Sequence, residues 1–163
     1  MDRDITFLPY SAWHKDGCLS LFDANCPDFF APNEREVYER FLDAKESGYE
    51  VCSAEGRVIG AFGLMGDGPE RKSLNWILLE PQSRGMGIGA SIMERVVSLA
   101  RDSGLNAIEI AASHRSAAFF AKFGAIAKVT SEDGWGPGMH RVDMELGIGP
   151  NEKWAVIESY RCS

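Results

Sequence analysis

The chain has 163 residues, of which 45% are hydrophobic and 25% charged, as expected for one domain that buries a core without disulfide or metal staples. A formal net charge of −7 without a clustered basic patch argues against nucleic-acid binding. No apolar run approaches the ~20 residues of a membrane span, and residues 1–10 lack the apolar segment of a secretory signal, so we expect a cytoplasmic protein without a membrane partner.

The first half of the chain predicts two helices among several strands. In chain order these are strand 3–8, helix 11–24, loop 25–30, helix 33–47, and strands 49–54, 57–65 and 74–79. Ser11 is the predicted N-cap of the first helix, and Asn33 with Glu36 forms a capping-box pattern at the second. Glu55-Gly56 is a hairpin signal. The charged run Glu34-Arg35-Glu36 is interpreted as a solvated helix face.

The second half alternates helices and strands. Its predicted elements are helix 88–103, strand 105–112, helix 115–123, strand 125–130, a glycine-rich loop at 133–138 and strand 139–147, whereas 150–163 receive no assignment. The resulting order β-α-α-β-β-β-α-β-α-β-β predicts an α/β (α+β) fold with an antiparallel first half and a central βαβ unit.

The cysteines and histidines do not follow a metal-binding pattern. Cys18, Cys26, Cys52 and Cys162 include no CxxC pair, and the three histidines are scattered. We therefore expect reduced, mostly buried thiols and no metal site.

A glycine-rich turn separates strand 74–79 from helix 88–103. Gly85, Gly87 and Gly89 let a ligand approach the backbone, where N–H groups and the helix dipole form an anion cradle suited to a pyrophosphate. Arg84 adds a cation whose fork matches a phosphate. A Walker A loop would need Gly-Lys-Ser/Thr at its end. A dinucleotide-binding turn would need GxGxxG and an acidic residue at the end of the second strand of the βαβ unit. Neither pattern is present.

Two segments resemble motifs of one family. Segment 80–100, EPQSRGMGIGASIMERVVSLA, resembles the coenzyme A motif of the GNAT-type N-acetyltransferases, Gln/Arg-x-x-Gly-x-Gly/Ala, with Arg84, Gly87 and Gly89 in place. Segment 113–125, SHRSAAFFAKFGA, resembles their second motif, with Lys122 and Gly124 matching. Two motifs in this order, about 30 residues apart, are fairly specific.

The resemblance, which extends over residues 3–147, implies a fold and a co-substrate. The implied fold for 1–163 is a single GNAT-like domain whose mixed, mostly antiparallel sheet has about seven strands, a central splayed parallel pair and about four helices. The implied co-substrate is acetyl-CoA, with its pantetheine arm paired to the main chain at 77–79 and its pyrophosphate on the turn. The implied coenzyme contacts are Ile77, Leu78, Leu79, Arg84, Gly85, Met86, Gly87, Ile88, Gly89, Ala90, Ser116, Phe119, Phe120 and Lys122.

The chain departs from the family pattern where catalysis is concerned. Phe120 stands where the family commonly has the tyrosine that donates to the leaving thiolate, and no carboxylate occurs at 73–75, early on the fourth strand. Ser113 replaces the asparagine that opens the second motif, and Ala125 replaces its closing aromatic. The remaining candidates for proton transfer are Ser113, His114 or Tyr10 as donors and Glu80 through a water.

Four aromatic residues are predicted to contact the acceptor. Phe29 and Phe30 lie in the loop between the first two helices, a region that often shapes the acceptor pocket in this family, and they either line that pocket or anchor the loop. Trp76 is either a core residue or a pocket wall. Trp135, in the glycine-rich loop, is either a substrate lid or a loop anchor.

These patterns predict an N-acetyltransferase that moves an acetyl group from acetyl-CoA to a primary amine of a small molecule by direct attack in a ternary complex. Phe120 raises the alternative of a catalytically weak acyl-CoA-binding or sensing module of the same fold. A third interpretation is an interaction protein that has the fold but does not bind coenzyme A. The acidic charge favours a cationic acceptor. The last strands predict a homodimer that pairs through an exposed edge.

Overall fold

The strands and helices of the folded chain follow the predicted order. The computed structural model describes residues 4–83 and 85–149. The strands are β1 (Ile5–Pro9), β2 (Tyr49–Ala54), β3 (Arg57–Met65), β4 (Arg71–Leu79), β5 (Ala107–Ser113), β6 (Ile126–Gly136) and β7 (Met139–Gly147). The helices are α1 (Lys15–Asn25), α2 (Glu34–Ala44), α3 (Ile88–Asp102) and α4 (Ala117–Ala121), with 3-10 turns at Ala12–His14 and Pro81–Ser83.

The strands of the described residues form one sheet. Its order is β1-β2-β3-β4-β5-β7-β6, and all neighbouring pairs are antiparallel except β4 and β5. The predicted fold class is therefore confirmed: a mixed, mostly antiparallel seven-stranded sheet with a central parallel pair and, within the described ranges, four α-helices.

The parallel strands β4 and β5 separate partway along their length. Their pairing runs from Arg71 opposite Ala107 to Leu74 opposite Ile110, although β4 continues to Leu79 and β5 to Ser113. The register between β3 and β4 shifts in this region, and Trp76 has a φ of +49°. Such a bulge bends the strand that carries it, which accounts for a gap between the carboxyl ends of β4 and β5.

Helices cover both faces of the sheet, each over an apolar core. Ile92 and Val96 of α3 are fully buried over one face, and Phe22 of α1 with Tyr38 of α2 over the other. Residues 51 and 52 are adjacent on β2 and belong to different cores, as expected when successive strand side chains point to opposite faces. The gap between β4 and β5 thus lies between two packed layers.

The hairpin between β2 and β3 has the predicted turn. Glu55 and Gly56 both have positive φ, +54° and +76°, as a two-residue type I′ turn requires. Ala54 pairs with Arg57 across it. The local sequence was therefore sufficient to predict this turn.

Several predicted helix ends are wrong. Predicted helix 11–24 is a 3-10 turn followed by α1, which ends one residue later, at Asn25. Predicted helix 33–47 ends at Ala44 because Lys45 adopts a left-handed conformation, with a φ of +52°. The capping box predicted for Asn33 and Glu36 does not occur among the described residues: the Asn33 side-chain amide donates to the Trp135 carbonyl instead, at 3.0 Å.

The largest error concerns the glycine-rich segment 133–138, which was predicted to be a loop. β6 continues through Gly136, and only 137–138 form the turn to β7. The β6–β7 register shifts between Ser131 and Gly136, so the glycines accommodate an irregular strand. β1 likewise includes Pro9, which an edge strand tolerates because one side of its backbone has no partner.

The cysteines of the described chain are free thiols. Cys18 and Cys52 are buried, and burial raises the pKa of both to about 11, so they stay protonated at neutral pH. Cys26 is partly exposed. Cys162 lies outside the described residues.

Candidate active site

The glycine-rich turn joins β4 to α3 in a conformation that requires glycine. Gly85 and Gly87 both have a φ of +80°, and a Cβ added to either would meet no atom within 4 Å. Gly87 is the N-cap of α3, whose first N–H groups have no acceptor within the helix. The turn therefore offers open space in front of unpaired donors and the positive end of a helix dipole. Arg84 lies outside the described residues.

Gly89 has a different role from the two glycines before it. It is already helical, and a Cβ there would lie 2.7 Å from Cε1 of Phe119 and 3.4 Å from Cδ1 of Leu79. A side chain at 89 would push α3 away from α4 and from β4. Gly89 thus lets the helix approach the cavity wall closely.

A cavity of about 670 Å³ begins at this turn and follows the gap between β4 and β5. At the turn it is lined by Gly85, Gly87, Ile88, Gly89 and Ala90. Along the gap it is lined by residues 74–79 of β4, by Glu80 just after that strand, and by residues 110–113 of β5. At its far end it reaches the connection between α1 and α2 and the indole of Trp135. One continuous space therefore joins most of the residues that the sequence analysis selected.

The wall formed by α4 supplies four of the predicted coenzyme contacts. Ser116, Phe119, Phe120 and Lys122 all line the cavity, together with Arg115, which the sequence analysis did not select. Phe120 is buried, and its ring cannot donate a hydrogen bond. Met86, by contrast, is exposed and is not among the cavity-lining residues.

Asn25 ties the last residue of α1 to the floor of the gap. Its side-chain amide donates to the carbonyls of Leu21, at 2.8 Å, and Leu79, at 2.9 Å. The side chain is buried and lines the cavity. A buried amide that bridges two elements fixes their relative position. Position 25 was predicted as loop, and no sequence pattern indicated this long-range contact.

The predicted proton-transfer residues differ in their surroundings. Ser113 lines the cavity, and its hydroxyl lies 3.1 Å from that of Ser116. Glu80 lines the cavity too, but its carboxylate pairs with Arg57 at 2.9 Å. His114 is exposed and does not line the cavity, and its Nδ1 accepts a hydrogen bond from the His140 main chain at 3.1 Å.

Tyr10, the remaining predicted donor, does not line the cavity. Its ring packs edge-on against Tyr49, with centroids 5.9 Å apart. Burial raises the pKa of its hydroxyl. Among the predicted donors, Ser113 is thus the hydroxyl that the fold places at the cavity.

Aromatic rings form the far end of the cavity. Phe29, Phe30, Trp76 and Trp135, the four residues for which acceptor contacts were predicted, all line it. The rings of Phe30 and Trp76 stack with centroids 6.1 Å apart, and Tyr38 approaches Trp76 to 4.8 Å. Trp76 therefore belongs to both the packed layer and the cavity wall, so its two interpretations are not exclusive.

Trp135 is held in place by three contacts. Its indole N–H donates to the Ala112 carbonyl on β5 at 2.9 Å, and the Arg141 guanidinium stacks on its ring at 4.9 Å. Its own carbonyl accepts the bond from Asn33 at the start of α2. The β6–β7 hairpin is thereby fastened over the end of the cavity, so Trp135 is both an anchor and part of the wall.

A pair of tyrosine hydroxyls supports the bulge in β4. The Tyr49 hydroxyl donates to the Trp76 carbonyl at 2.7 Å and lies 2.7 Å from the Tyr38 hydroxyl. Because a carbonyl can only accept, the Tyr38 hydroxyl must donate to Tyr49. Burial raises the pKa of both phenols well above 10, so they remain protonated. These two hydrogen bonds in series satisfy the carbonyl of Trp76, a residue whose backbone is strained by its positive φ.

Glu34 corrects the interpretation of the charged run as a solvated face. Its side chain is 6% exposed and lines the cavity. Oε2 accepts a hydrogen bond from the Ala31 main chain at 2.8 Å. Burial raises the pKa of the carboxyl from 4.5 to about 7, and the hydrogen bond only partly opposes this shift. Glu34 lies on the buried face of α2 with Tyr38 and Leu42, which follow it at intervals of four residues, and a charged residue on that face gives no hydrophobic signal in the sequence.

Two further observations concern the described residues as a whole. Within 4–83 and 85–149, His, Cys, Asp and Glu side chains form no group of three or more that could hold a metal ion. In the same part of the chain no helix is long and apolar enough to cross a membrane.

The turn fits the pyrophosphate of coenzyme A, the group that the sequence motifs imply. Any side chain larger than that of glycine at position 85 or 87 would occupy the open space in front of the turn. The main-chain N–H donors at the start of α3 attract an anion placed in that space. The gap beyond Leu74 leaves strand edges on β4 and β5 without a partner strand, as an extended pantetheine arm requires.

Solved structures of acetyltransferases resemble this fold at low sequence identity. An aminoglycoside 6′-N-acetyltransferase complexed with coenzyme A is 14% identical, with a TM-score of 0.70, over 90% of this chain and 97% of that chain. The ribosomal-protein-S18-alanine N-acetyltransferase from Escherichia coli is 11% identical, with a TM-score of 0.73, over 90% and 95%. The protein yncA from Salmonella typhimurium, solved with acetyl-CoA, is 13% identical, with a TM-score of 0.67, over 90% and 95%.

The family itself is established by sequence. No protein of curated function matches the chain. The sequence model of the acetyltransferase (GNAT) family matches residues 18–125, which is more than half of the chain and includes both the glycine-rich turn and α4. The chain therefore belongs to the GNAT acetyltransferase family.

Proposed function

We propose that this protein transfers an acetyl group from acetyl-CoA to a primary amine of a small molecule by direct attack in a ternary complex. The observation that carries the proposal is the continuity of the cavity from the turn at Gly87, through the gap beyond Leu74, to the aromatic end at Trp135. Two substrates held side by side in one continuous cavity gain the large rate advantage of an intramolecular reaction.

The coenzyme end binds through the main chain. Acetyl-CoA supplies an acyl group activated as a thioester. The N–H groups of Gly85 and of Gly87 to Ala90 hold the pyrophosphate, whereas the Met86 N–H already donates to the Ser83 carbonyl at 3.2 Å. Arg84, which precedes Gly85 in the sequence, supplies a cation that suits a phosphate. The main chain of 77–79 orients the arm along β4, while residues in α4 and at its two ends close the other side: Ser116, Phe119, Phe120 and Lys122. Ser113 is the hydroxyl best placed to donate a hydrogen bond towards the leaving sulfur.

The acceptor end favours a small molecule over a protein segment. The tip of β6 packs tightly on the residues just before α2: a Cβ at Gly136 would approach the Ala31 Cβ to 2.9 Å. With the Asn33–Trp135 hydrogen bond, this contact covers the end of the cavity. Four aromatic side chains there suit an acceptor with an apolar or flat body beside its amine.

Assembly and location follow as further proposals. β6 is an edge strand with Ile126 and Val129 exposed, so we propose that it pairs with β6 of a second copy in a homodimer in the cytoplasm. Light scattering of the purified protein would give twice the chain mass if this is right, and the mass of one chain if it is wrong.

One observation favours a second function. Phe120 occupies the position of the family's usual donor, and its ring cannot protonate a thiolate. A protein that binds acyl-CoA without efficient turnover would act as a sensor of that ligand.

Calorimetric titration with acetyl-CoA, followed by thiol-release assays with a panel of primary amines, tests both functions. We expect binding with a stoichiometry of one per chain and release of coenzyme A that depends on the amine. Binding without thiol release from any amine would favour the sensor. No binding would contradict both functions.

A further inference from the structure

Glu34 lies at the end of the cavity where the acceptor amine is proposed to bind. It is the first residue of α2 and contributes to the same wall as Asn25, Phe29, Phe30 and Trp76. Its side chain is 6% exposed, and few charged side chains are that buried without a partner or a function. Glu80, the other carboxylate that lines the cavity, is already paired with Arg57.

The surroundings of Glu34 leave its charge unneutralised. Within residues 4–83 and 85–149 it forms no ion pair, and the neighbouring Arg35 turns to Asp23 at 2.8 Å. Its Oε2 is fixed by the Ala31 N–H, at 2.8 Å, so the carboxylate cannot rotate freely. A buried carboxylate held in one orientation and lacking a cation has a strong preference for a cationic ligand.

Two other carboxylates share the electrostatic surroundings of Cys26 with Glu34. Asp23, Glu34 and Asp28 all help burial to raise the pKa of the Cys26 thiol, which places them in one electrostatic neighbourhood on the connection between α1 and α2. The described cations that line the cavity, Arg115 and Lys122, stand just before and just after α4, whereas Glu34 is on α2. Glu34 is therefore a carboxylate of the cavity wall that has no cation paired to it among the described residues.

We propose that Glu34 binds the ammonium group of the acceptor and is the general base that removes its proton. This inference rests on the proposed function and names a residue that the family's motifs do not include. The pKa of about 7 suits the task, because a base is most effective when its pKa lies near the working pH.

The proton and electron balance of the step is complete. The Glu34 carboxylate takes one proton from the ammonium group, directly or through one water, and leaves a neutral amine with a lone pair. That lone pair forms the C–N bond to the thioester carbonyl carbon, and the C–S bond breaks. The sulfur leaves with its electron pair and receives the second proton lost by the nitrogen, while Glu34 returns its proton to solvent.

Glu34→Gln tests the proposal, because glutamine keeps an oxygen for the Ala31 N–H but cannot take a proton. Glu36→Gln is the matched control, since Glu36 is exposed one residue beyond Arg35 on the same helix. The probes are acetyl-CoA with 2-phenylethylamine, n-butylamine and putrescine, and the readouts are thiol release from pH 5 to 10, calorimetry with acetyl-CoA, and ¹³C-carboxyl NMR titration of the free protein.

We expect three results. In the wild type kcat/KM for the amine rises to a plateau near pH 7, and one glutamate carboxyl, absent in Glu34→Gln, titrates in the same range. At pH 7, kcat/KM of Glu34→Gln is about 100-fold lower than that of the wild type. Above pH 7 it increases about tenfold for each unit by which the pH rises, because only the neutral amine reacts. Acetyl-CoA affinity stays unchanged, and Glu36→Gln behaves as the wild type.

Two outcomes would overturn the inference while leaving the proposed function intact: wild-type rates and pH profile in Glu34→Gln, or a Glu34 carboxyl that titrates near 4.5. A wild type that binds acetyl-CoA but acetylates no amine would overturn the proposed function and this inference together.

Discussion

The coenzyme end and the acceptor end of the cavity are built in different ways. The coenzyme end depends on one short segment, in which Gly85 and Gly87 adopt positive φ and α3 follows at once. The acceptor end depends on contacts between residues far apart in sequence, such as Asn33 with Trp135 and Asn25 with Leu79. A backbone cradle is thus encoded locally, whereas a side-chain pocket is assembled by the fold.

The difference also appears in electrostatics. The turn uses main-chain donors and a helix end, which do not titrate at any ordinary pH. The acceptor end contains a carboxyl, Glu34, whose burial raises its pKa to about 7. Coenzyme binding should therefore be insensitive to pH around neutrality. Acceptor binding and the stability of the acceptor end should both change with pH in that range.

The largest expected effect is on the coenzyme end. Gly87→Glu places a carboxylate in the space in front of the α3 donors, where it excludes a pyrophosphate by volume and by charge. We expect acetyl-CoA affinity to fall at least ~1000-fold, or about 4 kcal/mol, in calorimetric titration.

Gly56→Glu is the control for backbone strain at that position. Gly56 has a φ of +76° and no atom within 4 Å of an added Cβ, but it lies in the β2–β3 turn. Both variants should lose about 1–2 kcal/mol of stability from a non-glycine residue at positive φ. Normal binding by Gly87→Glu would show that the cradle is assigned to the wrong residues.

The next effect concerns stability at the acceptor end. Because folding raises the pKa of Glu34 from 4.5 to about 7, the folded state binds more protons than the unfolded state between these values. The contribution of Glu34 to stability is therefore complete below pH 4.5 and is lost as pH rises to 7, by about 3 kcal/mol. Glu34→Gln should become more stable relative to the wild type by this amount between pH 4 and pH 8 in urea unfolding.

Glu36→Gln should show no such trend, since Glu36 is exposed. Parallel pH profiles of stability for wild type and Glu34→Gln would mean that the Glu34 carboxyl is solvated in solution.

A smaller effect is expected where the two ends meet, at the bulge in β4. Tyr49→Phe removes the donor to the Trp76 carbonyl and leaves a buried acceptor unsatisfied. The free energy of unfolding should fall by about 2 kcal/mol. Tyr38→Phe keeps the bond between Tyr49 and Trp76 and should cost less. Equal losses in the two variants would indicate that packing of the rings, and not the carbonyl bond, supports the bulge.

The smallest effect is expected at the cover of the acceptor end. Trp135→Phe keeps an aromatic ring beside Arg141 but loses the hydrogen bond to the Ala112 carbonyl. We expect a loss of about 1 kcal/mol and, on that basis, an increase in acceptor KM of about fivefold or less, with acetyl-CoA affinity unchanged. Trp13→Phe is the control, because Trp13 is 84% exposed. A change in acetyl-CoA affinity would place Trp135 at the coenzyme end instead.

The sequence predicted those parts of the site that depend on local conformation. The hairpin at Glu55-Gly56, the strand–turn–helix around Gly87 and the order of strands and helices all follow from short-range patterns, and all are present. The parallel pair of β4 and β5 also follows, because a helix that connects two strands usually returns the chain in the same direction.

Tertiary structure decided the features that depend on distant partners. The burial of Glu34 reverses its interpretation as a solvated residue: Glu34 shares the buried face of α2 with Tyr38 and Leu42, and a carboxylate on that face gives no hydrophobic signal in the sequence. Segment 133–138 became strand and turn because β7 provides hydrogen-bond partners that offset its glycines. The sequence by itself determined where the backbone adopts the conformation of the proposed anion cradle, since glycine conformations are local. Which side chains line the proposed acceptor end was decided only when the helices, the bulge in β4 and the β6–β7 hairpin packed together, since burial and pKa are properties of the surroundings.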